Sequence, residues 1–296
     1  MVIAIDGLSL GAIYALIALG YTMVYGIAKM LNFAHGDVIM VGAYMIYTLS
    51  MLTWTTGSMP IWLGAQISFL VSVVVCTLLG MVNEKVAYKP LRGASPLAAL
   101  ITAIGVSYLL QGIAQLIWGA EQRSISILDR LGTVKMGSVA VRWSSIITVV
   151  CGAILMVGLT LFVKKTRTGR AMLAVSEDKG AAQMMGINVN KIVSVTFAIG
   201  SGLATFAALF YLPTTAISPT LGSMPGIKAF AAAVIGGIGS IPGAVVGGIL
   251  LGVVEVVCNS FEATASYTTA IEFALLIIIL LVRPIGLLGK KRRVKV

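Results

Sequence analysis

The sequence is poor in the side chains that do chemistry. Its 296 residues include one histidine, ten acids and three cysteines. Charged residues make up 10% of the chain, where a soluble globular domain carries about 25%. One histidine and scattered thiols supply no cluster of nucleophile, base or metal ligands, which argues against a membrane enzyme. Cys76, Cys151 and Cys258 stand singly in apolar segments, without metal or redox spacing, and read as free core thiols. The Gly-rich run GGIGSIPGAVVGG at 236–248 lacks the Gly-Lys-Ser/Thr ending of a phosphate loop, so no ATP site is visible. No catalytic residue, metal or cofactor is expected on this chain. No basic flank precedes the first apolar run, which is of spanning length, so no cleavable signal peptide is expected either.

What is abundant is hydrocarbon. Apolar residues make up 58% of the chain, and its mean hydropathy is +1.02. Uncharged runs extend over Gly7 to Ala28, Val38 to Asn83, Leu97 to Ala120, Trp143 to Val163, Ile192 to Ile227 and Ala229 to Val254. One crossing needs about 20 residues, so the second and fifth runs each hold more than one. Backbone polar groups must be satisfied inside lipid, and the spans are therefore helices. The sequence predicts an all-α, polytopic integral membrane bundle, one transmembrane domain over residues 1–296. Its spans fall near 7–27, 37–53, 61–83, 97–119, 144–163, 192–211, 224–240, 242–258 and 266–282. Trp54 to Pro60 reads as a turn. Pro213, Pro219 and Pro225 mark an irregular connection, and the region 212–240 reads either as a span or as a broken, re-entrant segment. The total is eight or nine crossings.

The net charge of +11 points to a membrane rather than to nucleic acid, because the basic residues flank the apolar runs. Lys29, the 84–95 loop, the 164–191 loop and the 283–296 tail together hold 16 Lys and Arg. Arg123, Arg130, Lys135, Arg142 and Lys228 fall to the other side. The excess marks the first side as cytoplasmic. The 120–143 loop becomes the main external excursion. Gly7 and Gly11 are four apart, as are Gly243 and Gly247, and Gly248 and Gly252, a spacing that lets helix backbones approach closely.

The longest polar interruption runs from Lys164 to Lys191. Within it the sequence predicts a short helix near 177–185. Ser176 is placed to cap it, Glu177 and Asp178 suit its first turn, and Gly186 suits the left-handed position after its end. A helix so short is not stable alone in water and must lean on something. Ala181, Ala182, Met184 and Met185 give it a surface of small residues and methionine that a partner could cover. A capped loop resting on its own protein is the other reading.

Four blocks then carry a family resemblance: GYTMVYGIAKMLNFAHGDVIMVGAY at 20–44, NEKVAYKPLR at 83–92, GRAMLAVSEDKGAAQMMGIN at 169–188 and KAFAAAVIGGIGSIPGAVVGG at 228–248. Together they resemble the LivH-type permease of bacterial branched-chain amino acid ABC importers, through nearly the whole chain. The resemblance implies a multi-pass protein of the inner membrane that works with a LivM-type permease, two ATP-binding subunits and a periplasmic binding protein. ATP and magnesium would belong to the ATPases. It implies that the 164–191 loop holds the coupling helix. Glu177, Gly180, Ala181, Ala182 and Gly186 occupy positions like the degenerate EAA-and-Gly segment of ABC permeases. It also implies that the binding protein makes most of the selection.

Other candidates are single residues. Asn32 and His35 lie in NFAHGD at the inner end of the second span, as a structural turn or as a gate near the coupling loop. Tyr14, Tyr21 and Tyr25 recur near helical spacing, as a packed aromatic stripe or as a translocation wall. Glu255 and Glu272 are acids within apolar spans. They are placed towards the outer ends of their helices, either exposed at the interface or touching the partner permease or outer vestibule. The reading is one half of an importer channel, working by alternating access. A permease of the same type for urea, an aryl acid or a sugar remains open. A stand-alone ion-coupled transporter would need mid-membrane charges, which the sequence does not show.

Overall fold

The computed structural model describes residues 2–57, 60–125, 127–128, 132–136 and 139–289. Arg130 of the predicted external loop and residues 290–296 of the basic tail lie outside the described residues. The chain forms a helical bundle. Its apolar helices are α1 (Val2–Ala28), α2 (His35–Thr55), α3 (Ile61–Asn83), α4 (Pro96–Trp118), α5 (Trp143–Lys165), α8 (Val189–Tyr211), α9 (Ser223–Gly236), α10 (Ile241–Asn259) and α12 (Thr268–Val282). Three short helices complete the set: α6 (Arg167–Glu177), α7 (Lys179–Met184) and α11 (Glu262–Ala265). One hairpin, β1 (Thr133–Met136) with β2 (Val139–Arg142), lies in the 120–143 loop. Among the described residues, seven helices are long and apolar enough to cross a membrane, and α9 and α12 are shorter apolar helices.

The predicted seventh span is thus a short helix. Fourteen residues rise about 21 Å, less than the roughly 30 Å hydrocarbon core. The proline-marked stretch before it is irregular. A 3₁₀ turn over Leu212–Thr214 is followed by Ile217, which pairs backbone to backbone with Arg123 of the loop after α4. That pairing closes one end of the bundle.

Helix α1 is the axis. Every residue from Gly11 to Val24 is buried. It runs antiparallel along α10, and glycine makes that approach possible. A Cβ on Gly248 would collide with the backbone of Ala15, and one on Gly252 with the backbone of Gly11. The small-residue spacing seen in the sequence is therefore a seam between α1 and α10. A second seam joins α9 to α10, where Gly247 abuts the Ala232 carbonyl and Gly236 abuts Gly243. The outer faces of α3 and α4 stay apolar and exposed, with Leu70, Val74, Leu78, Ile101, Leu109 and Leu116 on the surface. Such faces suit lipid.

Between α1 and α2 the chain turns back into the bundle. Lys29 takes a left-handed conformation at φ 61°, and α2 starts at His35. His35 does not sit at the level of the end of α1. Its ring fills the space that a side chain at Gly20 would need, eight positions before that end, and it also faces Gly200 of α8. Gly36, next along, meets Gly222 backbone to backbone at the start of α9. His35 opens α2, at the end of the second span where the sequence placed it, and packs beside Gly20 of α1.

The basic segments gather at one end. The π turn Glu84–Tyr88 that continues α3 brings Glu84 to Arg92 and to Ser194 of α8. Lys179 of α7 reaches the last residue of α1. At the opposite end Asp6 accepts from Ser145 at 3.0 Å and lies 3.9 Å from Arg142.

Candidate functional site

Two regions concentrate polar structure: the α6–α7 segment at the basic end, and the interior where α1, α2, α8, α9, α10 and α12 meet.

The first is built by caps. The Thr166 hydroxyl accepts from Gly169 N at 3.0 Å and starts α6. Gly169, Met172 and Val175 form its buried face, and Gly169 leaves no room for a side chain against the carbonyls at the end of α5. Then the helix breaks. Asp178 is extended, and its Oδ1 accepts from Gly180 N at 2.8 Å and Ala181 N at 3.0 Å, which caps α7. The predicted helix capped by Ser176 is therefore corrected. Ser176 lies in the last turn of α6 and donates to the Leu173 carbonyl, and Glu177 ends α6. Asp178 outcompetes it because an extended backbone lets the carboxylate meet two orphan N–H groups. The C-terminal signal holds. Gly186 has φ 80°, Ile187 N bonds to Ala182 O and Gly186 N to Gln183 O, a paired closure that satisfies two terminal carbonyls.

The result is a six-residue knob resting on Ala182, its one buried residue. Met184 and Met185 are 85% and 82% exposed. Lys179 anchors the knob, donating to Ala28 O at 2.9 Å. Burial, and then the nearby Arg92 charge, hold the Lys179 ammonium below the usual lysine pKa.

In the interior the predicted tyrosine stripe divides. Tyr14 donates to Glu255 Oε2 at 2.7 Å. Tyr21 sets its ring edge-on to His35, with centroids 4.9 Å apart, and to Phe230 at 6.0 Å. Tyr25 is half-buried and joins neither group. Asn32 is buried and accepts from Tyr88 at 2.6 Å, which ties the returning chain to the π turn. Both Tyr21 Oη and His35 Nε2 are buried without a hydrogen-bond partner.

Glu255 and Glu272 come together around Lys228. Its Nζ lies 2.7 Å from Glu255 Oε1 and 3.2 Å from Glu272 Oε2. The Glu272 side chain is 1% exposed. Interfacial exposure of Glu272 is therefore corrected, and so is the assignment of Lys228 to the outer surface. Sequence reasoning counted Lys228 as a topology signal, because nothing local reveals that two acids 27 and 44 positions away will face it. The same limit hid a second polar knot. Gln111 of α4 donates to Asp37 Oδ1 at 2.9 Å and to Ser223 Oγ at 3.2 Å, which binds α4, α2 and α9. Asp37 stands at the edge of an apolar run, and nothing local marked it as buried.

This interior holds charge with little exposure. No group of three or more metal-ligating residues occurs among the described residues.

Residues 3–280 match the family described as branched-chain amino acid transport system / permease component. The high-affinity branched-chain amino acid transport system permease protein BraD of Pseudomonas aeruginosa is 43% identical over 300 residues, covering 99% of this chain and 96% of that protein. The corresponding permease LivH of Escherichia coli is 39% identical over 299 residues, covering 98% and 96%. A probable branched-chain amino acid transport permease of Methanocaldococcus jannaschii is 30% identical over 289 residues, covering 93% and 88%.

Proposed function

The chain belongs to the branched-chain amino acid transport system permease family, and from that premise we propose that it is a membrane-spanning permease subunit of an ATP-driven importer for leucine, isoleucine and valine. The observation that carries the reading is the end-to-end match to permeases of that cargo. The protein is a multi-pass membrane protein, and the reading places it in the bacterial inner membrane with its basic end in the cytosol. Its partners are a second, LivM-type permease, two ATPases and a periplasmic binding protein.

Mechanically, the α6–α7 knob is the coupling element. Its apolar tip, Met184 and Met185, is exposed, and it is tied through Lys179 to the end of α1. ATP-driven closure of the ATPases moves the knob. The motion reaches α1, the returning stretch 29–34 and the start of α2, and the bundle opens outward for the amino acid and then inward. The chain carries out no bond chemistry, and ATP and magnesium stay on the ATPases.

The test is reconstitution of the complete complex in vesicles with its binding protein inside the assay. Uptake of labelled leucine, isoleucine and valine, dependent on ATP inside the cytosolic compartment, is the expected result. Uptake of urea, an aryl acid or a sugar in their place would reassign the cargo. Uptake by the chain alone, driven by an ion gradient, would overturn the importer reading.

A further inference from the structure

Beside α7 the basic end carries an open groove of about 560 Å³. Arg92, Lys179, Gln183, Asn188 and Asn190 line it, and no acid does. Both cations are held in place. Arg92 pairs with Glu84 and bonds to Asn190 Oδ1, and Lys179 donates to the Ala28 carbonyl. Arg92 has its counter-charge in Glu84. Lys179 makes no ion pair among the described residues, and its hydrogen-bond partner is a neutral carbonyl. The amides of Gln183, Asn188 and Asn190 supply further donors around the rim. A fixed, partly desolvated cation lacking a counter-ion is a receptor for an anion.

The neighbourhood selects the anion's source. Met184 and Met185 project beside the groove, 85% and 82% exposed. Methionine next to fixed cations matches a protein surface with an apolar socket and an acidic residue.

We propose that this groove receives a carboxylate side chain of the partner ATPase, seated against Lys179 and Arg92, while Met184 and Met185 enter an apolar socket on the same partner. The proposal rests on the coupling reading of α6–α7. The incoming carboxylate competes with the Ala28 carbonyl for Lys179, so docking is felt directly at the end of α1.

The experiment uses the whole complex and measures how much ATPase co-purifies across a range of salt concentration. Assembly with the second permease serves as the folding control. Lys179→Gln is expected to weaken ATPase association about tenfold at low salt and to flatten its salt dependence. Gln183→Glu, which puts a negative charge in the groove on an exposed side chain and leaves Lys179 in place, should weaken it similarly. The double variant Met184→Asp with Met185→Asp tests the knob itself. Normal association and normal salt dependence in both groove variants, with loss only in the methionine variant, would overturn the groove proposal and leave the coupling reading standing. Normal association in all of them would overturn both. A different result identifies lipid. If association is unchanged, but ATP turnover requires phosphatidylglycerol over phosphatidylcholine vesicles and loses that requirement in Lys179→Gln, the occupant is a lipid phosphate and the proposal fails.

Discussion

Lys228 and Glu255 stand 27 positions apart in the sequence, and their side chains meet at 2.7 Å inside the bundle. Glu272 lies 3.2 Å from the same ammonium, and Tyr14 donates to the far oxygen of Glu255. Four helices, α1, α9, α10 and α12, are joined by this one cluster. Removing the cation leaves two acids facing each other in an apolar surround, a change that typically costs about 3–5 kcal/mol. Lys228→Met is therefore expected to lower the denaturation midpoint of the purified protein sharply. The triple variant Lys228→Met, Glu255→Gln and Glu272→Gln should recover most of the loss. A triple variant no more stable than Lys228→Met would show that the charges are not what matters there.

The knob can be tested without disturbing its fold. Gly180 is exposed, and a Cβ there would meet only Asp178 Oδ1, at 3.4 Å. Gly180→Arg should insert and pair with the second permease normally. A bulky, unpaired charge at a close-packed contact costs a few kcal/mol, enough for about a hundredfold loss of ATPase association. Uptake should fall with it. Persisting co-purification and uptake would return the segment to a loop resting on its own protein.

His35 and Gly20 form a lock. The ring of His35 occupies the place of a Gly20 side chain. Gly20→Ala should impair transport, His35→Ala should impair it with less effect on protein level, and the pair should be milder than the sum of the two. The check is a double-mutant cycle on uptake rate alongside protein abundance. Strict additivity would mean that the two residues do not constrain each other.

Lys179 supplies a pH signature. Burial and the Arg92 charge lower its folded-state pKa. The folded protein therefore disfavours the protonated form, and the resulting stability cost is full below the folded pKa and is relieved as pH rises from the folded pKa to the unfolded one. A neutral amine is also the reactive form. At mildly alkaline pH, Arg92→Gln should reduce acylation of Lys179, because losing the neighbouring cation raises its pKa. Mass spectrometry of acylated peptides reads the change directly, and faster acylation in the variant would contradict the assigned cause.

Orientation has its own measurement. In a background without Cys76, Cys151 and Cys258, Glu121→Cys should react with an impermeant thiol reagent added outside intact cells. Gly180→Cys should react only after permeabilisation. The reverse pattern would invert the bundle.

Several features needed no coordinates. The spans were legible because hydrocarbon runs are uncharged for as long as a helix needs to cross, and boundaries such as 61–83 agree with α3 (Ile61–Asn83). Gly186 was legible because a left-handed terminus favours one residue type. The glycine spacing of Gly248 and Gly252 announced a close helix contact, though it did not say with which helix. Tertiary structure decided the rest. Ser176 and Asp178 are equally good caps by composition, and the break between α6 and α7 chose Asp178. Lys228 looked like a surface charge, since its partners are distant in sequence, and folding alone brings Glu255 and Glu272 to it. His35 follows directly on the loop after α1, yet it lies against Gly20 because the chain folds back before α2 begins. Burial of hydrocarbon is a sum over local composition and can be read residue by residue. The pairing of charges and the depth of a returning loop depend on which helices become neighbours, and that is settled only when the bundle closes.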